Sequence, residues 1–177
     1  MTRQCPPDGA FINLVSHWDV PLISGRPISQ TIVEPFEFEL DLDNDGQRLP
    51  TFFTTPAFVA TETFCRHLRE AGVDNLQEYR ATIANPETGE TFDHYRVLNI
   101  VGLVACADAA ASDVSKLGPD LHFYNEIIVS AAAVPRDIQI FRLAEDPTKI
   151  IVDDRLLAFL RTKGYTDIYA EPLAERA

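Results

Sequence analysis

Residues 36–43, Phe-Glu-Phe-Glu-Leu-Asp-Leu-Asp, alternate strictly between apolar and acidic. A period of two is the signature of a β-strand, whose successive side chains point to opposite faces. Phe36, Phe38, Leu40 and Leu42 therefore define a face that must be covered. Glu37, Glu39, Asp41 and Asp43 share the other face at spacings of about 7 Å, and Asp45 follows before an Asp-Gly turn at Gly46. Like charges set in a row cost the fold a modest amount per close pair. Such a stripe is either a solvated outer face or a surface kept for a basic partner.

The segment 34–45 holds six acids and no base, within a chain of 15 Lys+Arg and 27 Asp+Glu and a formal charge of −12. That balance argues against direct binding of nucleic acid phosphates and of anionic lipid headgroups. An apolar fraction of 46% is too high for a disordered chain. The 177 residues are expected to form one domain. Residues 1–50 read as an irregular and β-rich N-terminal part that carries the acidic strand, ahead of the rest of the domain. No segment is apolar and long enough to span a bilayer or to form a signal-peptide core, so a cytoplasmic protein is expected.

The remaining pattern predicts an α+β fold, mostly antiparallel sheet with two main helices packed on it. A short strand is expected at Phe11–Val15 and β-prone chain at Thr51–Thr55. Thr61–Ala71 reads as a helix with Thr61 as N-cap, Gly72 beyond its end, and Phe64, Leu68 and Ala71 along one stripe. Tyr79–Ala84 and Thr91–Val104 flank Asn85-Pro-Glu-Thr-Gly89, a hairpin signal. Residues 108–120 read as a polar loop or short helix, Leu121–Ser130 and Ile138–Leu143 as strands, and Asp153–Lys163 as the second helix before Gly164. Tyr165–Tyr169 closes the chain as a strand or extended tail. The segment from Val59 to Leu76 echoes that from Ile151 to Ile168 at a fixed offset, which suggests two similar strand–helix units.

Local chemical motifs are sparse. Asp41-x-Asp43-x-Asp45-Gly46 matches the start of an EF-hand loop, but Phe52 stands where that loop needs its bidentate Glu. His17, His67, His94 and His122 lack HxH or HxxxH spacing, and no Cys-x-x-Cys occurs, so a zinc site would have to be gathered from distant residues. Cys65 and His67, two apart on a helix, point some 200° apart and form no local nucleophile–base pair. Cys65 and Cys106 read as small core residues. Asp153-Asp154 reads as a helix cap rather than a catalytic pair. The glycines make no GxGxxG or GxxxxGK cradle, and no Gly-x-Ser-x-Gly elbow occurs.

The order of segments carries one further signal. Thr55-Pro-Ala-Phe-Val-Ala leads into a helix ending Arg-Glu-Ala-Gly-Val-Asp-Asn-Leu-Gln-Glu-Tyr79. Asn85-Pro-Glu-Thr-Gly89, Tyr95–Val104 and Asp108 follow, then Ile140-Phe-Arg-Leu-Ala-Glu145, Ile150–Leu156 and Gly164–Leu173. Over roughly residues 50–173 this resembles the bacterial polymorphic-toxin immunity family numbered eleventh, of the myxobacterial type. The resemblance implies a non-catalytic protein that binds and neutralises a cognate secreted toxin. It implies no cofactor, no metal and no catalytic residue. Tyr95, Asp108, Phe141 and Arg142 match family-like positions and read as structural. Together with the acidic stripe, it implies a basic toxin or effector domain, such as a nuclease, docking on Glu37, Glu39, Asp41, Asp43 and Asp45. The competing readings are a small enzyme with a non-local site that uses His94 or His122, and a calcium-binding interaction module at Asp41, Asp43 and Asp45.

Overall fold

The computed structural model describes the chain except for residues 1–9, 17–18, 43–48, 109, 117–121, 167, 169, 171 and 177, and gives only the backbone of 114–116, 122–126 and 174–176. In chain order the first half contains β1 (Phe11–Leu14), β2 (Phe36–Asp41), β3 (Phe52–Phe53), β4 (Val59–Thr61), α1 (Glu62–Glu70), β5 (Leu76–Ala84) and β6 (Thr91–Ile100). The second half contains β7 (Leu103–Val104), β8 (Asp113–Lys116), β9 (His122–Glu126), β10 (Ile128–Ser130), β11 (Ile140–Leu143), β12 (Ile150–Val152), α2 (Asp154–Thr162) and β13 (Ala174–Arg176). The class is α+β, as the sequence predicts.

The main sheet has the order β1-β2-β5-β6-β4-β3. Its pairings are antiparallel except for β2 with β5, where Phe36 lies beside Ala81 and Glu39 beside Ala84 in parallel register. Smaller sheets join β12-β11-β7, β10-β13 and β8-β9.

Alternation along the strands gives the main sheet a core on each face. On one side Phe36, Phe38, Ala81, Ile83, Tyr95 and Val97 are buried with Val20, Leu22 and Ile28 of the N-terminal segment. That segment is held as a strap. Gln77 accepts from the Ile28 amide (2.7 Å) through Oε1 and donates to the Ile28 carbonyl (3.1 Å), and Asn99 Nδ2 donates to the Arg26 carbonyl (2.9 Å). On the other side Ala60, Leu98 and Ile100 pack against Phe64 and Leu68 of α1 and Leu156 and Leu160 of α2. Leu68 and Leu98 are fully buried, and truncating such a residue to Ala costs about 2–5 kcal/mol.

The two helices begin and end as their sequences indicate. The Thr61 side chain accepts from the Phe64 amide (3.3 Å), and the Asp153 side chain accepts from the Arg155 amide (2.7 Å). Gly72 and Gly164 follow with φ of 90° and 93°, the left-handed conformation glycine takes at least cost. Each helix is preceded by an antiparallel strand pair, β3–β4 for α1 and β11–β12 for α2. The sequence echo is therefore a real repetition of hairpin plus helix. The units meet where Lys163 Nζ contacts Glu70 Oε2 at 2.8 Å and His67 Nδ1 lies 2.9 Å from the Tyr165 hydroxyl.

Several expectations need correction. The predicted strand Thr91–Val104 is broken after Ile100, because Gly102 sits at φ 153° and donates its amide to the Gly25 carbonyl (2.9 Å). β7 then joins a different sheet. Within the polar stretch 108–120, residues 113–116 are neither loop nor helix but strand β8, paired with β9. Leu121–Ser130 divides at Ile127 into β9 and β10, with Leu121 outside the described residues. At Tyr165–Tyr169, where a strand or tail was expected, the described residues form no strand. Ile168 instead buries its side chain beside the helices, and the terminal strand is β13, parallel to β10.

Among the described residues no helix is long and apolar enough to cross a membrane.

Candidate docking face

Strand β2 places its residues as the alternation requires. Phe36 and Phe38 are buried, Glu37 and Glu39 are exposed, and Asp41 is half-buried at the strand end. Asp43 and Asp45 lie outside the described residues, so the proposed calcium ligands are represented only by Asp41. Leu42 continues the apolar parity of the strand but is 44% exposed. Across the sheet, Asn13 of β1 lies opposite Glu39 and Phe11 opposite Asp41, while Thr82 and Ala84 of β5 lie beside Glu37 and Glu39. These residues share the face on which α1 packs. Among the described residues α1 packs mainly on β4 and β6 and reaches β5 through Arg69; at the β1–β2 end Asn13, Glu37 and Glu39 are exposed, and Phe11, Asp41, Thr82 and Ala84 are half-buried.

Three cations of the sheet and α1, Arg80, Arg69 and Arg96, are committed to other carboxylates. Arg80 donates to Glu34 through its Nε (3.2 Å) and its amide (2.7 Å). Arg69 of α1 makes a two-pronged contact with Glu78, both hydrogen bonds at 2.7 Å. Arg96 pairs with Glu62 at the start of α1. Among the described residues neither the Glu37 nor the Glu39 side chain has an ion pair or hydrogen bond. Glu37 and Glu39 therefore carry negative charge that no cation among the described residues meets, beside the exposed Val15.

The parallel β2–β5 pairing brings a second acidic element to the same end of the sheet. Beyond Ala84 the chain turns through Asn85–Glu90, and all of Pro86–Thr91 is exposed. The turn is held locally. Asn85 Oδ1 accepts from the amides of Glu87 (2.9 Å) and Thr88 (3.2 Å), and the Asn85 amide donates to the Glu90 carbonyl (2.8 Å). Glu87, Glu90 and Asp93 sit on this hairpin, and residues 85–94 contain no Lys or Arg. Sequence reasoning missed this addition because the two segments lie more than 40 residues apart and a parallel pairing leaves no local signal.

The other singled-out residues serve the interior. Cys65 and Cys106 are free and buried, and burial pushes their thiols up to about 12 and about 11, too high for a thiolate nucleophile. The buried Tyr95 donates from its hydroxyl to the Pro50 carbonyl (2.9 Å). Asp108 Oδ1 accepts from the amides of Ala110 (3.0 Å) and Ala111 (3.1 Å) and shapes the turn before β8. Phe141 is a core residue. Arg142 is 2% exposed, with Nη1 donating to the Pro147 carbonyl (2.7 Å) and Nη2 to the Leu22 carbonyl (3.5 Å). His94 is exposed on β6 against Phe92 and Tyr95. His17 lies outside the described residues, and of His122 only the backbone, in β9, is described. Among the described residues no three His, Cys, Asp or Glu side chains converge as metal ligands. An apolar cavity of about 20 Å³ between α2 and the sheet is lined by Phe58, Leu68, Ile140, Leu157 and their neighbours and offers no polar chemistry.

No protein-family model matches the chain, and no curated protein matches it.

Proposed function

We propose that this chain is an immunity protein, binding a cognate bacterial toxin in the cytoplasm and neutralising it by non-catalytic occlusion. The observation that carries the reading is the bare acidic face of β2, where Glu37 and Glu39 are exposed and, among the described residues, have no cation of their own. Keeping like charges side by side without compensation costs stability, and a basic partner would recover that cost on binding. Opposed charge would also speed encounter, which suits a protein that must capture its target before the target acts. A toxin with a basic cleft, such as a nuclease, fits this face.

The test uses the gene next to this one. If it encodes a secreted protein with a variable C-terminal domain, that domain is expressed alone and with this chain. Co-expression is expected to restore growth, and Glu37→Lys with Glu39→Lys is expected to slow association most at low salt. A domain that kills equally well with and without this chain would sink the proposal.

A further inference from the structure

The bare part of the main sheet is broader than its acidic strand. Rows of side chains run across the strands: Asn13 of β1, Glu39 of β2 and Ala84 of β5 form one, Glu37 and Thr82 lie in the next, and Phe11 and Asp41 in a third. The Val15 amide donates to the Glu37 carbonyl (2.8 Å), which sets the exposed Val15 beside the first carboxylate. Exposed Val15 and half-buried Phe11 thus lie among the carboxylates. From strand spacing and rise, three strands by three rows measure about 10 Å by 14 Å. That is well short of the roughly 800 Å² that each partner buries in a stable complex. A partner seated there must reach beyond the strands. At the end where Glu39 pairs beside Ala84, the ground it reaches is the hairpin tip with Glu87, Glu90 and Asp93.

We infer that the docking surface is the bare β1–β2–β5 face together with the β5–β6 hairpin tip, and that its occupant is a lysine- or arginine-rich protein surface. Val15 and Phe11 provide the apolar contact, with carboxylates on β2 and on the tip to either side. This rests on the immunity reading for its biological partner, but the surface can be located independently. Charge complementarity selects the occupant. Arg69, Arg80 and Arg96 are held by Glu78, Glu34 and Glu62, so these three do not offset Glu37 and Glu39. The tip is fixed by backbone hydrogen bonds and by Asn85, so its carboxylates are presented on a rigid arm.

The experiment follows amide chemical shifts of the labelled full-length protein during titration with a decalysine peptide at low salt. Shifts are expected at residues 11–15, 37–41 and 82–94, with α1 and α2 unmoved. The exposed pair Glu87→Lys and Glu90→Lys leaves every backbone bond of the turn in place. It is expected to weaken peptide binding about twenty- to fiftyfold, the effect of reversing two charges about 7 Å from their partners in water at low salt. Shifts spread evenly over the surface acids, shifts centred on the helices, or an unchanged affinity in the double variant would overturn the inference. A peptide that seats on this face, alongside a neighbouring-gene toxin that is not neutralised, would support the surface and refute the immunity reading. Neutralisation by a chain whose peptide contacts lie elsewhere would do the reverse.

Discussion

Arg142 is the buried cation of the described structure, and replacing it should separate its packing from its charge. Its guanidinium meets carbonyl oxygens of Pro147 and Leu22, and among the described residues Nε has no hydrogen-bond partner. Desolvation pulls its pKa well below the ordinary arginine value, down to about 10. A tenfold change in proton affinity is about 1.4 kcal/mol, so keeping the charge buried costs the fold about 3 kcal/mol. On the favourable side, the side-chain stem buries three methylenes at about 0.8 kcal/mol each. The Leu22 and Pro147 carbonyls, if stripped of their donor, would cost about 1–3 kcal/mol for a buried group and less for a half-buried one. Arg142→Met keeps most of the stem contact and removes the charge, so gain and loss nearly cancel. Its stability in urea unfolding is expected within about 1 kcal/mol of the parent, as for other buried ions replaced by apolar residues. Arg142→Ala forfeits the stem as well and is expected to lose about 2 kcal/mol or more. A Met variant as unstable as the Ala variant would refute the reasoning, because the hydrogen bonds would then outweigh the desolvation.

The neutral forms of Cys65, Cys106 and Tyr95 are favoured by burial, with pKa values pushed up to about 12, about 11 and about 12. Groups raised in this way contribute full stability below their unfolded values and lose it as pH rises through the folded ones. Stability is therefore expected to be flat up to about pH 9 and to fall toward pH 12, with a shallower fall above pH 10 in Tyr95→Phe, as followed by alkaline titration of the unfolding midpoint. The hairpin–helix repetition predicts that Thr61→Ala and Asp153→Ala each cost about 1 kcal/mol in thermal or urea unfolding. Glu37→Lys and Glu39→Lys should leave stability within about 0.5 kcal/mol, since both side chains are exposed.

Much of the fold was legible because its signals are local. The period-two run of β2, the caps Thr61 and Asp153, the glycines after each helix and the Asn85 turn all act within a few residues, and each sits where its chemistry indicates. What escaped depends on distant partners. Strand β8 has a polar sequence and exists because β9 lies beside it. The break at Gly102 follows from the N-terminal strap, which takes the Gly102 amide through Gly25. The burial of Arg142 depends on the Leu22 and Pro147 carbonyls. The acidic strand was visible as a stripe, but its union with the hairpin tip required the parallel β2–β5 pairing, which alternation along one strand cannot reveal.

The proposed occlusion without catalysis is read by titrating the neighbouring-gene toxin domain with this chain while following the toxin's own activity. A linear fall that reaches zero near equimolar chain is expected, with intact, fully active toxin recovered after high salt separates the two. Loss of activity at a small fraction of equimolar chain, or toxin that stays inactive after separation, would contradict it.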